Sequence, residues 1–163
     1  MIRIGLLSDT HLNRCSSSTF KDIQQAFGKV DLILHAGDIT HESVLDCCRV
    51  LAPVHAVKGN MDIQGEVSLL PTKKILELES CKIGLIHGWG APIGLKRRVF
   101  EAFEKENITV IVYGHSHHPA IDDRQGCLMV NPGSPFDKRF APYHSVAVLT
   151  LDSGKAAAEI IRL

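Results

Sequence analysis

Two hydrophobic periods alternate along this chain. Residues 2–7, 30–36, 54–58, 82–86 and 109–113 are short apolar runs rich in β-branched side chains, and they predict buried strands. Between the first two, Phe20, Ile23 and Phe27 recur at helical spacing; Ser18 or Thr19 would cap that helix and Gly28 would stop it. Val44, Leu45, Cys48 and Leu51 make a second helical stripe, opened by Thr40 and closed by Pro53. Strands that return through a helix are the βαβ units of a parallel sheet. Residues 61–71 are irregular, with room for one helical turn. Residues 73–78 and 82–87 read as a hairpin through Glu79, Ser80 and Cys81, and Leu95, Val99, Ala102 and Phe103 mark a third helix. Residues 119–122 pair with 127–130 across 123–126, and 146–151 with 156–161 across Asp152, Ser153 and Gly154. Early strands thus read as parallel and later ones as antiparallel. That is an α/β pattern of two facing sheets with helices outside, in one domain over residues 1–163.

The apolar runs end alike. The first runs into Asp9-Thr10-His11, the second into Gly37-Asp38 and the third into Gly59-Asn60. The fourth meets His87-Gly88 and the fifth Gly114-His115-Ser116-His117. Sites of open α/β sheets form outside the carboxyl ends of the strands, and glycines there let backbones crowd together. In extended backbone the i, i+2 spacing of His115 and His117 would aim both imidazoles at one point.

Composition narrows the setting. With 163 residues, 45% hydrophobic and 22% charged, the chain can bury a core without disulfides. A formal net charge of zero gives no sign of binding a nucleic-acid polymer, although a small anion remains compatible with a metal site. Cys15, Cys47, Cys48, Cys81 and Cys127 are scattered and odd in number, the usage of free thiols in a reducing compartment. No signal peptide or membrane span is visible, so a cytoplasmic protein is expected.

Asp9, His11, Asp38, Asn60, His87, His115 and His117 are the candidate metal ligands. They are too many for one tetrahedral zinc and enough for two ions sharing a carboxylate. Imidazole, carboxylate and amide without thiolate suit manganese first, with iron, zinc or nickel as substitutes. Two such ions ~3.5–4 Å apart generate hydroxide near neutral pH and clamp the oxygens of an in-line displacement at phosphorus.

In this order, D-x-H, G-D, G-N, H-G and G-H-x-H resemble the calcineurin-like metallophosphoesterase superfamily. The short chain, Gly59-Asn60-Met61-Asp62 and the late Asn131-Pro132-Gly133-Ser134 are similar to its small archaeal and bacterial phosphodiesterase branch. The resemblance implies a four-layer αββα sandwich of two facing mixed sheets flanked by helices. It implies a phosphodiesterase whose metal-bound hydroxide attacks phosphorus. It also implies that Asp9, His11 and His117 hold one metal, that Asn60, His87 and His115 hold the other, and that Asp38 bridges.

Two departures stand out. Many members carry G-N-H, whose histidine protonates the leaving group; here Met61 takes that place. Asp62 is then a candidate acid or, alternatively, an orienting carboxylate. Trp89 stands where the branch often has histidine, and it is a candidate platform for stacking on substrate. His35 reads as a core histidine, residues 96–98 as a solvated helix face and residues 131–134 as a backbone brace. The expected partner is a small phosphoester, with no membrane and with self-association left open. The alternative function is a non-catalytic protein-interaction module, because the retromer small scaffold subunit resembles the same branch.

Overall fold

The computed structural model describes residues Met1 to Leu163. Strand β1 (Ile2–Leu7) is followed by helix α1 (Lys21–Phe27), β2 (Leu32–His35), α2 (Glu42–Leu51) and β3 (Val54–Ala56). A 3-10 turn (Glu66–Leu69) then leads to β4 (Lys73–Leu78), β5 (Cys81–Ile86), α3 (Leu95–Glu101) and β6 (Val110–Val112). Two hairpins close the chain: β7 (Ala120–Arg124) with β8 (Cys127–Asn131), and β9 (Ser145–Asp152) with β10 (Lys155–Arg162). No helix is long and apolar enough to cross a membrane.

Each sheet has five strands, in the orders β10-β9-β1-β2-β3 and β4-β5-β6-β8-β7. In the first, β1, β2 and β3 are parallel, and β9 joins β1 antiparallel. In the second, β5, β6 and β8 are parallel, with antiparallel β4 and β7 at the edges. The sheets face each other across Ile4, Leu6, Leu34, Leu85, Val112 and Leu149, a core to which β1, β5, β6 and β9 give alternate residues. Helices α1 and α2 cover the outer face of the first sheet through Ile23, Phe27, Val44 and Cys48. Helix α3 covers the second through Leu95 and Val99. This is the expected αββα sandwich of two mixed sheets.

One packing device occurs in both halves. The Phe27 ring lies over Gly5 of β1, where an added Cβ would come within 2.7 Å of it. The Phe103 ring lies over Gly84 of β5, where a Cβ would come within 2.8 Å. A glycine in one parallel strand of each sheet lets an aromatic ring press directly on the sheet backbone.

Four details differ from the sequence reading. The last hairpin returns to the first sheet, because β9 finds a free edge on β1; parallel and antiparallel pairing therefore mix in both sheets. Helix α1 begins after Phe20 with no side-chain cap, since the Ser18 and Thr19 hydroxyls turn to Ser16 instead. His41 rather than Thr40 caps α2, its Nδ1 accepting from Ser43 N at 3.2 Å, while the Thr40 hydroxyl donates to Leu12 O at 2.9 Å. Hairpin strands also run further than expected, into two-residue turns with positive φ at both positions, such as Glu79 (49°) and Ser80 (62°). That geometry matches the strand twist, so pairing continues up to the turn and Cys81 belongs to β5.

Phe27 and Phe103 are 1% and 3% exposed. Phe27→Ala or Phe103→Ala is expected to cost about 3–5 kcal/mol in urea unfolding, because glycine beneath the ring leaves nothing to collapse into the cavity.

Candidate metal centre

All the parallel strands of both sheets deliver their carboxyl ends to one edge of the sandwich. There the backbone leaves regular geometry at the residues of interest. Asp9 (φ 52°), His11 (48°), Asp38 (54°), His115 (72°) and His117 (58°) all occupy the left-handed region. Non-glycine residues there are strained by about 1–3 kcal/mol each, and such strain clusters at functional sites. The left-handed turns also correct one expectation. His115 and His117 are not extended and do not aim at a single point. His117 Nε2 faces His11 Nε2 at 3.2 Å, whereas His115 Nδ1 faces Asn60 Oδ1 at 3.1 Å.

Close backbone contact makes this convergence feasible. At Gly59 an added Cβ would fall 2.1 Å from Asp38 Oδ1, and at Gly114 it would fall 2.7 Å from Asp9 Oδ2. No other residue fits between these loops.

Two groups of donors result, and both contain Asp9. Asp9, His11 and His117 bring one ligand atom each within 4.8 Å of one another, and so do Asp9, Asp38 and His87. Asp38 Oδ2 stands 3.6 Å from His11 Nε2 and 3.4 Å from His87 Nε2, between the groups. Asn60 and His115 sit beside His87, whose ring meets that of His115 edge-on at 5.2 Å. All seven expected residues thus come to one edge.

Their hydrogen bonds test whether a cation fits. His87 donates its Nδ1 proton to Ala36 O at 2.8 Å, so its Nε2 lone pair points at two carboxylates. His115 donates from Nε2 to Gly90 O at 2.7 Å, leaving its Nδ1 lone pair opposite Asn60 Oδ1. Asp9 Oδ1 and His87 Nε2 are buried in this group with no hydrogen-bond partner; His117 Nδ1 is also orphaned, but it faces Asp137 while Nε2 faces the group. Lone pairs converge here with no protons to share, and a divalent cation satisfies such a set.

Without a cation, protons partly take its place. Burial pushes the Asp9 carboxyl up to about 7, against the pull of His87 and the Ser8 hydroxyl. Burial would lower His87, but Asp38 and Asp9 outweigh it and hold the imidazolium above its ordinary range. Burial above all, helped by the His87 and His11 rings and opposed by Asp38, takes His35 down to about 3. That ring stays neutral, its Nδ1 accepting from Gly37 N at 3.2 Å and its Nε2 3.3 Å from the Thr10 hydroxyl.

Several neighbours hold the donors in place. Asp62 Oδ1 accepts from Ile39 N (2.8 Å) and Thr40 N (2.7 Å), and its Oδ2 from Gly59 N (2.8 Å). Both oxygens are occupied in stitching the Asp38 loop to the Asn60 loop. Of the two roles read for Asp62, this geometry favours the orienting one over the acid. Ser134 Oγ donates to Asp9 O at 2.6 Å, and Asn131 Nδ2 to Gly114 O at 3.0 Å, so residues 131–134 do brace the site.

Three contributors escaped sequence reasoning. Ser8 Oγ donates to Asp9 Oδ2 at 2.5 Å. Asp137, gripped by Arg139 and held down to about 2, places Oδ2 3.7 Å from the orphaned His117 Nδ1. Arg98, taken for solvated surface, ties the lip after β5 together. Its guanidinium donates to the carbonyls of Trp89 (3.0 Å), Ile93 (3.1 Å) and Ala91. The same lip supplies the Gly90 carbonyl that fixes His115. None carries a sequence signal beyond residue type: Arg98 and Asp137 act across loops, and Ser8 simply adjoins Asp9. Trp89, 49% exposed, lines a cleft of about 520 Å³ with Asn60, His87, Lys58 and Lys73.

Comparison with known proteins identifies the family and the fold. The calcineurin-like phosphoesterase superfamily domain matches residues 2–154. A probable metallophosphoesterase of Methanothermobacter thermautotrophicus is 39% identical over 159 residues, 98% of this chain and 91% of that one. An archaeal phosphodiesterase shares the fold with a TM-score of 0.75 and 20% identity, over 98% of this chain and all of that one (100%). Zinc-complexed Vps29 of Entamoeba histolytica superposes with a TM-score of 0.73 at 22% identity, over 99% of both chains. The chain belongs to the calcineurin-like phosphoesterase superfamily. Its class is that of phosphoester hydrolases using divalent metal ions.

Because Asp9 belongs to both donor groups and Asp38 stands between them, Asp9→Asn or Asp38→Asn should empty both metal positions. His115→Ala should spare the ion beside His11. Elemental analysis after manganese loading should read near two ions per chain in the wild type, near one in His115→Ala and near none in the aspartate variants.

A cation must displace the protons held by Asp9, up to about 7, and by His87. Apparent affinity should therefore rise as pH increases from ~6 to ~8, with proton release at the lower end. Calorimetry in buffers of different ionisation enthalpy measures that release, and a pH-independent affinity would contradict the proton-for-metal exchange.

Proposed function

We propose that the protein is a phosphodiesterase with two divalent ions, manganese preferred. Asp9, His11 and His117 would hold one ion, Asn60, His87 and His115 the other, with Asp38 between them. The observation that carries this reading is the pair of overlapping donor groups, Asp9 with His11 and His117 and Asp9 with Asp38 and His87, with His115 beside His87 and Asn60 beside His115, and with Asp9 Oδ1 and His87 Nε2 buried without a protein partner. Divalent ions bound there supply positive charge for phosphoryl oxygens and activate water near neutral pH. Around them, Lys58 and Lys73, whose ammonium groups also donate to Ser68 O and Ala102 O, line the cleft with Trp89, a setting for an anionic ester with an aromatic substituent.

The likeness to an archaeal phosphodiesterase supports diesters over monoesters. Vps29 neighbours share only the fold, and the full donor set here favours hydrolysis over a pure interaction role. Free thiols at every cysteine fit a cytoplasmic setting.

The chain supplies no evident proton for the leaving group. Met61 is 50% exposed at the position in question, and the Asp62 carboxylate is taken up by backbone N–H groups. General acid assistance is typically worth ~10²–10⁴-fold. Rates across aryl phosphodiesters should therefore fall steeply as leaving-group pKa rises, and Met61→His should flatten that slope by helping the poorest leaving groups most. A flat wild-type slope where chemistry limits the rate would reveal a proton donor not assigned above. Failure of manganese-loaded protein to hydrolyse any diester would overturn the function itself.

A further inference from the structure

A second cleft borders the candidate centre. It has a volume of about 600 Å³, and Pro92, Leu95, Tyr113, His115 and Phe140 line most of it. His115 forms part of its wall and is also a candidate ligand, so the cleft starts at the metal centre. Its far wall is Phe140, 71% exposed, whose ring meets that of His117 edge-on at 5.9 Å. Exposed aromatic surface of this kind has no role in the core.

Tyr113 makes the cleft more than an apolar groove. The residue is 1% exposed and lines the cleft, and its hydroxyl, on which the Asp122 carboxylate acts, makes no hydrogen bond within the protein. Buried tyrosine hydroxyls usually find a partner. Lys96, also on the wall, is already paired with Asp122 at 2.7 Å, so the cleft offers no free cation for a second phosphate. What remains is an apolar wall of Pro92, Leu95 and Phe140, the Tyr113 hydroxyl, and the polar edges of Ser116, which accepts from Asn131 Nδ2, and His118.

We propose that this cleft binds an aromatic ester substituent carrying a hydrogen-bond acceptor, a nucleobase or substituted aryl ring, with Tyr113 donating to the acceptor and Phe140 covering the ring. The proposal rests on the phosphodiesterase reading and names its substrate class. A diester has two substituents, and two clefts border different donors: Asn60 and His87 in one, His115 in the other.

Equilibrium binding to the manganese-loaded full chain tests the cleft without relying on turnover. Thymidine 5′-monophosphate and methyl phosphate present the same phosphate with and without a ring, so calorimetry gives a selectivity ratio. The wild type should prefer the thymidine compound. Tyr113→Phe removes one hydroxyl and should reduce the ratio by roughly 2- to 10-fold, the worth of one neutral hydrogen bond. Ala120→Leu, which narrows the cleft from β7, should reduce it as well, and guards against an uninformative first variant. No preference in the wild type, an unchanged ratio in both variants, or a ratio lost only in Trp89→Ala would overturn the proposal. A ratio that falls as expected in protein that hydrolyses no diester would sustain the cleft and overturn the phosphodiesterase reading.

Discussion

Electron pairs crowded at one edge, without protons between them, are the constraint on which the rest of this structure depends. Asp9, Asp38, His11, His87 and His117 approach within 3.2–3.9 Å of one another through atoms that chiefly accept. Left alone, such a cluster takes up protons, and the raised Asp9 and His87 are that response. A divalent cation resolves the same conflict and turns it into a source of reactivity. Much of the surrounding architecture serves to keep these groups from relaxing apart.

That restraint works on two scales. The double-sheet core holds the strand ends at one edge, and His87 links the sheets there by donating to Ala36 O from β5's end to β2's end. Locally, five of the seven donor residues are non-glycine residues with positive φ, a strain that hydrogen-bonded loops must offset. Asp62, Ser134 and Asn131 do so by taking backbone groups that the irregular loops leave free. Strain and brace together leave the donor atoms little freedom to reorganise when substrate charge develops, and such preorganisation is a large part of electrostatic catalysis.

The lip after β5 extends this logic outward. Arg98 fastens three of its carbonyls, and the lip in turn fixes the tautomer of His115 through Gly90 O. The clefts lined by Trp89 and by Tyr113 lie against this lip, so donor geometry and substrate shape share one element. Rearranging the lip would disturb both.

What the sequence determined by itself was the inventory and its order. Short apolar runs, helical stripes and turn residues were enough for the strands, the helices and the two-sheet class. The ordered D-x-H, G-D, G-N, H-G and G-H-x-H placed all seven donors at strand ends. Those signals are local, carried by neighbouring residues whose periodicity follows from backbone geometry. Only tertiary structure decided that β9 would pair with β1, because a sheet edge has no mark in the sequence of the strand that will fill it. Tertiary contact also parted His115 from His117, since left-handed φ at non-glycine residues is imposed by packing that overrides intrinsic preference. The reach of Asp62 across two loops, of Arg98 across the lip and of Asp137 toward His117 was illegible for the same reason. Residue type states what a side chain can offer, and only the folded chain settles which partner stands close enough to accept it.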